Sequence, residues 1–199
     1  MLRESIYGAR PYDQPWLFPV TGRIIFLADT IHLSGHVVGL DKINHFVREG
    51  LLHWRAVHHE AADIAMVMAQ ELGPPKRQLG MNEHGLKGLS LTGVVSYADL
   101  AASYSGFQFW TDLLAIGGRH AFIDYDAAHA RFTVRRGFAF AAYVNASWDE
   151  GINHASYDPA LAREVDAALR ARGLTAPLSD CRALAALPQA HLYVNPSCH

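Results

Sequence analysis

The sequence predicts a mainly α, α+β fold: a compact helical domain with one small β-hairpin or sheet. Three observations predict it. Four segments repeat apolar residues at helical spacing beside a recognisable cap or stop. Only one pair of short strand-like runs flanks a polar turn. No internal repeat or flexible linker divides the 199 residues, a length that suits a single domain over 1–199.

Residues 1–33 read as an irregular N-terminal arm. Pro11, Pro15 and Pro19 interrupt any long element there, and a short strand is expected at Arg23–Leu27. Ser34 is placed to cap a first helix from Gly35 to Glu49, with Val37, Leu40, Asn44 and Val47 on its inner stripe and Val38 and Phe46 on the flanks. Gly50 would end it. A second helix is expected from Leu51 to Leu72. Val57, Ala61, Ile64, Ala65, Met68 and Leu72 recur at spacings of three and four, and Gly73-Pro74-Pro75 stops the run.

Residues 76–95 hold four glycines and read as a loop with a small hairpin near Leu89–Val95. Ser96-Tyr97-Ala98-Asp99 has the form of a capping box. It opens a third helix through Leu100, Tyr104, Phe107 and Leu114, which Gly117-Gly118 would close. Ala121–Tyr125 and Arg131–Val134 read as two strands around a turn, and 137–155 as an aromatic loop. Asp158-Pro159 starts a fourth helix, because Pro suits the first helical position; Leu161, Val165 and Ala168 face inward and Gly173 closes it. A short helix near Ser179–Leu187 lies within a loop-rich tail at 174–199.

Composition excludes several classes. Half of the residues are hydrophobic, so the chain is not of the disordered type. The net charge of −2 implies no basic face, which argues against nucleic acid as a partner. The longest nearly uncharged stretch, Leu100 to Gly118, carries Asp112, Gln108, Ser103, Ser105 and Thr111, too polar for a transmembrane segment. The first residues lack the apolar core of a signal peptide, so the chain is expected to be cytoplasmic or to have lost a leader. Cys181 and Cys198 lie 17 residues apart in the tail. Bonded, they would indicate an oxidising compartment; unbonded, they are two unrelated thiols, and the sequence favours neither.

Twelve histidines raise the question of a metal. Asp29, His32, His36, Asp41 and His45 form one group. On one continuous helix, however, His36 and His45 stand about 180° apart and cannot share an ion, whereas Asp41 and His45 share a face. A second group is His53, His58, His59, Glu60 and Asp63, expected to be a solvated face because adjacent residues diverge by about 100°. The expectation is therefore no bound metal and no other cofactor. Asp41-Lys42-Ile43-Asn44-His45-Phe46 is similar to a DKxxHF pattern seen in VanZ-like membrane proteins and some small envelope lipoproteins. That resemblance, over six residues, implies only a lean toward the cell envelope.

Glu83 is the leading catalytic candidate. A glycosidase needs a carboxylic acid in a partly apolar setting to protonate the leaving oxygen, and a second group to hold water or stabilise the developing cation. Glu83 follows a long helix, Thr92 lies in the expected hairpin and Asp99 opens the next helix. This order, and the spacing from Glu83 to Thr92, resembles the phage-type lysozyme arrangement. Ala98 stands where that pattern has Thr. The resemblance implies Glu83 as general acid with Thr92 or Asp99 positioning water. Alternatively, Glu83 is an exposed loop residue and Asp99 only a helix cap.

The loop with Tyr143, Asn145, Trp148, Asp149, Glu150, Asn153, His154 and Tyr157 has the ring-plus-acceptor composition of a sugar site. Trp148, Asp149 and Tyr157 are its candidate substrate contacts, and the bland alternative packs Trp148 and Tyr157 in the core. No GxGxxG, GxxxxGK[ST] or GxSxG motif occurs.

Three functions follow. The first is a periplasmic or secreted hydrolase of a polysaccharide such as peptidoglycan. The second is a metal-dependent hydrolase using His36, Asp41 and His45. The third is a non-enzymatic envelope binding or scaffolding domain.

Overall fold

The computed structural model describes residues 30–74, 80–90, 93–115, 122–171, 173 and 181–198. The fold is mainly helical α+β, with small two-stranded antiparallel sheets. Residues 1–29 of the arm expected over 1–33, with its strand at 23–27, Thr92, Gly117-Gly118 and 174–180, which include the start of the expected short helix, lie outside the described residues.

The described chain opens with a hairpin rather than a helix. Strand β1 (Thr30–Leu33) pairs with β2 (His36–Gly39), Leu33 opposite His36. Ser34 and Gly35 have φ of 52° and 86°. Positive φ at both central residues is what a two-residue hairpin turn of type I′ requires. Ser34 is therefore a turn residue, not a helix cap, and His36 and Val37 sit on a strand.

Helix α1 (Asp41–Asn44) continues through a π turn (His45–Glu49) into α2 (Gly50–His59). Gly50 does not end this helix. It lies inside it, where the chain crosses α4 (Tyr97–Leu114). A Cβ on Gly50 would come within 2.5 Å of the Gly106 Cα, and one on Gly106 within 2.0 Å of the Phe46 carbonyl oxygen. The two glycines thus let the backbones touch. The expected inner stripe also shifts: Leu40 and Val47 are exposed, and Lys42, Phe46, Glu49 and His53 are buried. The buried face of this helix is largely polar, so apolar periodicity misplaces it.

The expected second helix is interrupted. After α2, Ala61 takes a φ of 54°, and Asp63 caps α3 (Ile64–Leu72) by accepting from the backbone N–H groups of Ala65 and Met66. A side chain that satisfies free helix-start donors makes a new N-terminus favourable. Gly73, with φ of 76°, ends α3.

Strand β3 (Val94–Val95) pairs antiparallel with β6 (Ser156–Tyr157), more than 60 residues on, and not within a local hairpin. Ser96 caps α4, its hydroxyl accepting from the Asp99 N–H at 3.2 Å. Strands β4 (Ile123–Asp126) and β5 (Arg131–Val134) form the expected hairpin. Helix α5 (Pro159–Ala171) begins where Asp158 accepts from the N–H groups of Ala160 and Leu161. Its buried side chains are Leu161, Val165 and Leu169, which pack with Val94, Ala155 and Tyr157.

The main core surrounds the first half of α4. Leu100, Ala101, Ala102 and Tyr104 meet Val38, Phe46, Met68, Trp148 and Val194. Trp148, in a short 3₁₀ turn (Ala146–Trp148), is 0% exposed. Its ring packs against Phe46 and Phe140, and its indole N–H donates to Ser105 Oγ at 3.1 Å. Cys181 and Cys198 form a disulfide that clasps the tail onto this core. Among the described residues, no helix is long and apolar enough to cross a membrane.

Candidate functional site

Four elements carry charged side chains into the interior beside the start of α4. The stripe Lys42, His45, Glu49 and His53 recurs at helical spacing along α1, the π turn and α2. A π turn adds a residue to the helical cycle and re-aims the side chains around it. Glu71 enters from the last turn of α3, Asp99 from the first turn of α4, and Glu83 from the loop between them.

Glu83 is 1% exposed. Its loop is docked onto the end of α3: the Glu83 and His84 N–H groups donate to the carbonyls of Glu71 and Leu72 at 2.8 and 3.0 Å. These are carbonyls that a helix end leaves without an intrahelical partner. Gly88 lets the loop fold this tightly, since a Cβ there would stand 2.2 Å from the Glu83 carbonyl oxygen. The carboxylate accepts from the Ser96 N–H through Oε2 at 3.4 Å. Oε1 has no hydrogen-bond partner among the described residues. Burial pushes the Glu83 carboxyl up to about 8, helped by the neighbouring charges of Asp99 and Glu71 and opposed by His45 and the Ser96 N–H.

His45 lies between two acids. Its Nδ1 donates to Ser103 Oγ at 3.2 Å and lies 3.5 Å from Glu71 Oε1; its Nε2 lies 3.5 Å from Asp99 Oδ2. Ser103 in turn donates to Glu71 Oε1 at 2.8 Å. Burial opposes the imidazolium, yet Asp99 and Glu71 together raise the His45 pKa to about 9. His53 Nε2 lies 3.2 Å from Glu71 Oε2, and burial lowers its pKa despite that neighbour.

Lys42 is as deeply buried as Glu83 and bridges three carboxylates. Its Nζ is 2.5 Å from Asp99 Oδ1, 2.7 Å from Glu150 Oε1 and 3.1 Å from Asp41 Oδ2. Burial works against the ammonium, but these three charges hold its pKa well above the ordinary value. Glu150 also accepts from the Ser96 hydroxyl at 2.8 Å. Asp99 is thus more than a helix cap. Ser96 caps α4, and the Asp99 carboxylate is used on Lys42 and faces His45.

The sequence-derived candidates separate accordingly. Glu83 and Asp99 come together, and His45 joins them. His36 is on β2, where it lies beside Asp149, and Asp41 pairs with Lys42; the set His36, Asp41 and His45 is not assembled. Asp149 accepts from the Val37 and Gly151 N–H groups, and Tyr157 packs with the α5 cluster. Trp148 offers no ring face to a sugar, because the packing described above covers it. His58, His59, Glu60 and Asp63 are exposed as expected, but His53 is not. Lys42, Glu71 and Ser103 were not legible as site residues. The available signal was a row of polar residues, Lys42, Glu49 and His53, at the spacing of a buried stripe.

Comparison with protein-family models, with curated proteins and with solved structures found no match to this chain.

Proposed function

We propose that this protein is a hydrolase centred on Glu83, Asp99 and His45, acting in an envelope or extracellular compartment on a polysaccharide such as peptidoglycan. The observation that carries the reading is the placing of the Glu83 carboxyl, one oxygen of which has no hydrogen-bond partner among the described residues, in one buried cluster with Asp99 and His45. Two carboxyl groups in unlike surroundings are what acid–base hydrolysis uses: one held protonated, the other ionised. Glu83, buried and close to the charges of Asp99 and Glu71, is suited to the first role. Asp99, paired with Lys42, is suited to the second. His45 can pass a proton on either side. The disulfide supports the compartment, since such bonds persist where conditions are oxidising.

Release of soluble fragments from peptidoglycan and from other glycans is the test. Glu83→Gln keeps the shape of the side chain but cannot donate a proton at neutral pH, and should cost a factor of ~10²–10⁴ in rate. Asp99→Asn should cost activity as well. Wild-type protein that releases nothing from any glycan removes the reading. A fully active Glu83→Gln variant removes the residue assignment.

A further inference from the structure

We propose that His45, Glu83 and Asp99 are the ligands of a single divalent transition-metal cation, of the Zn²⁺ or Mn²⁺ type. One ring nitrogen of His45 and one carboxylate oxygen from each of Glu83 and Asp99 lie within 4.8 Å of one another. They come from the π turn, the loop at 80–90 and α4, so helical angles along one element do not bear on them. A cation with bonds of about 2.0–2.2 Å draws such atoms to roughly 3–4 Å, an adjustment within reach of side-chain torsions.

Three features point to a ligand rather than to a chance cluster. Glu83 is fully buried and keeps Oε1 without a hydrogen-bond partner among the described residues. A buried carboxylate left so is costly and is expected to be satisfied by something. Second, His45 is oriented as metal-binding imidazoles are. Nδ1 is engaged by Ser103 and faces Glu71, which leaves Nε2 on the side of Asp99. A carboxylate behind the far ring nitrogen fixes tautomer and angle. Third, the charges are unbalanced. Asp41, Glu71, Asp99 and Glu150 crowd around Lys42, His45 and His53, and the lysine is already shared by three of them. One nitrogen and two carboxylate oxygens suit Zn²⁺ or Mn²⁺ better than Ca²⁺, which takes six to eight oxygens. Three protein ligands leave a position for water, as in catalytic sites. Binding itself does not depend on the proposed hydrolase, but it takes Glu83 as the carboxylate. The cation-loaded protein would activate water on the metal and could not also use Glu83 as its proton donor, and that use of the cation rests on the hydrolase reading.

The test is titration of the EDTA-treated full chain with ZnCl₂ and with MnCl₂, read by calorimetry, elemental analysis after dialysis and thermal shift. One equivalent should bind and raise the Tm. Glu83→Gln and Asp99→Asn should each lose at least tenfold in affinity, Glu71→Gln should lose roughly tenfold through His45, and His129→Ala should lose none. Co²⁺ absorption follows the ligand set directly: the wild-type spectrum should change in Glu83→Gln, whose circular dichroism shows it folded. Failure to bind either cation overturns the proposal, as does binding that Glu83→Gln and Asp99→Asn both leave intact. Glycan hydrolysis that survives EDTA while Glu83→Gln abolishes it keeps Glu83 as the proton donor and overturns any part of the cation in the reaction. Stoichiometric binding lost in Glu83→Gln, with no hydrolysis of any glycan, keeps the cation and overturns the hydrolase.

Discussion

Glu83 accepts a hydrogen bond from the backbone N–H of Ser96, the residue whose side chain caps α4. In a capping box that N–H would go to the acid three residues into the helix, here Asp99. Glu83 takes it instead. Asp99 keeps its carboxylate for Lys42 and His45, and the start of α4 becomes the meeting point of two acids from separate elements.

This meeting gives stability a pH dependence. Folded Glu83 holds its proton up to about 8, against an ordinary value of 4.5; folded His45 holds its proton up to about 9, against 6.5. Between pH 6.5 and 9 the folded chain therefore binds more protons than the unfolded chain, and stability falls as pH rises. Melting of EDTA-treated protein should show a lower Tm at pH 9 than at pH 6.5. Glu83→Gln should flatten part of that slope, because Gln does not ionise. A flat or rising profile in the wild type would contradict both shifts.

Gly106→Ala tests the helix crossing. The added methyl would meet the Phe46 carbonyl oxygen, which is backbone and has little freedom to yield. Alanine gains up to ~1 kcal/mol in helix propensity. Overpacking costs about 1–3 kcal/mol or more, so the net result should be a loss. Urea unfolding midpoints measure it, and an unchanged or raised midpoint would show that α2 and α4 do not touch at these glycines.

Trp148→Ala should destabilise by about 3–5 kcal/mol, the usual range for a buried large aromatic. Trp148→Phe should fold, with a smaller loss from the missing bond to Ser105 and the unfilled volume. In that variant any glycan affinity of the wild type should persist. A folded Trp148→Phe protein that has lost sugar binding would place the ring at the ligand after all.

The disulfide between Cys181 and Cys198 closes a loop across 17 residues. Loss of a bond over a loop of about this length costs roughly 3 kcal/mol in the chain-entropy account. Thiol counting under denaturing, non-reducing conditions should find none free, and Cys198→Ser should lower the Tm. Two titratable thiols in protein from an oxidising compartment would remove the bond and the argument for export with it.

Local signals determined a good part of the fold. Ser96 and Asp158 cap helices because their oxygens reach free N–H groups two or three residues on, a relation written entirely in short sequence spacing. The β4–β5 hairpin is equally local. Where a residue had two uses, the spacing was not enough. Ser34-Gly35 suits a cap or a tight turn, and pairing of β1 with β2 decides for the turn. Gly50 suits a helix end or a close crossing, and Gly106, distant in sequence, decides for the crossing.

The site followed the same division. By itself the sequence determined the starts of α4 and α5, the β4–β5 hairpin and the chemical types of Glu83 and Asp99. Only tertiary structure decided that Lys42, His45, Glu71 and Asp99 face one another and that Trp148 is core. Apolar periodicity reports which side of a helix avoids water, and here the buried side of α1 and α2 is charged. Its burial is offset by partners that α3, the Glu83 loop and α4 supply across the chain, an electrostatic balance that no window along the sequence contains.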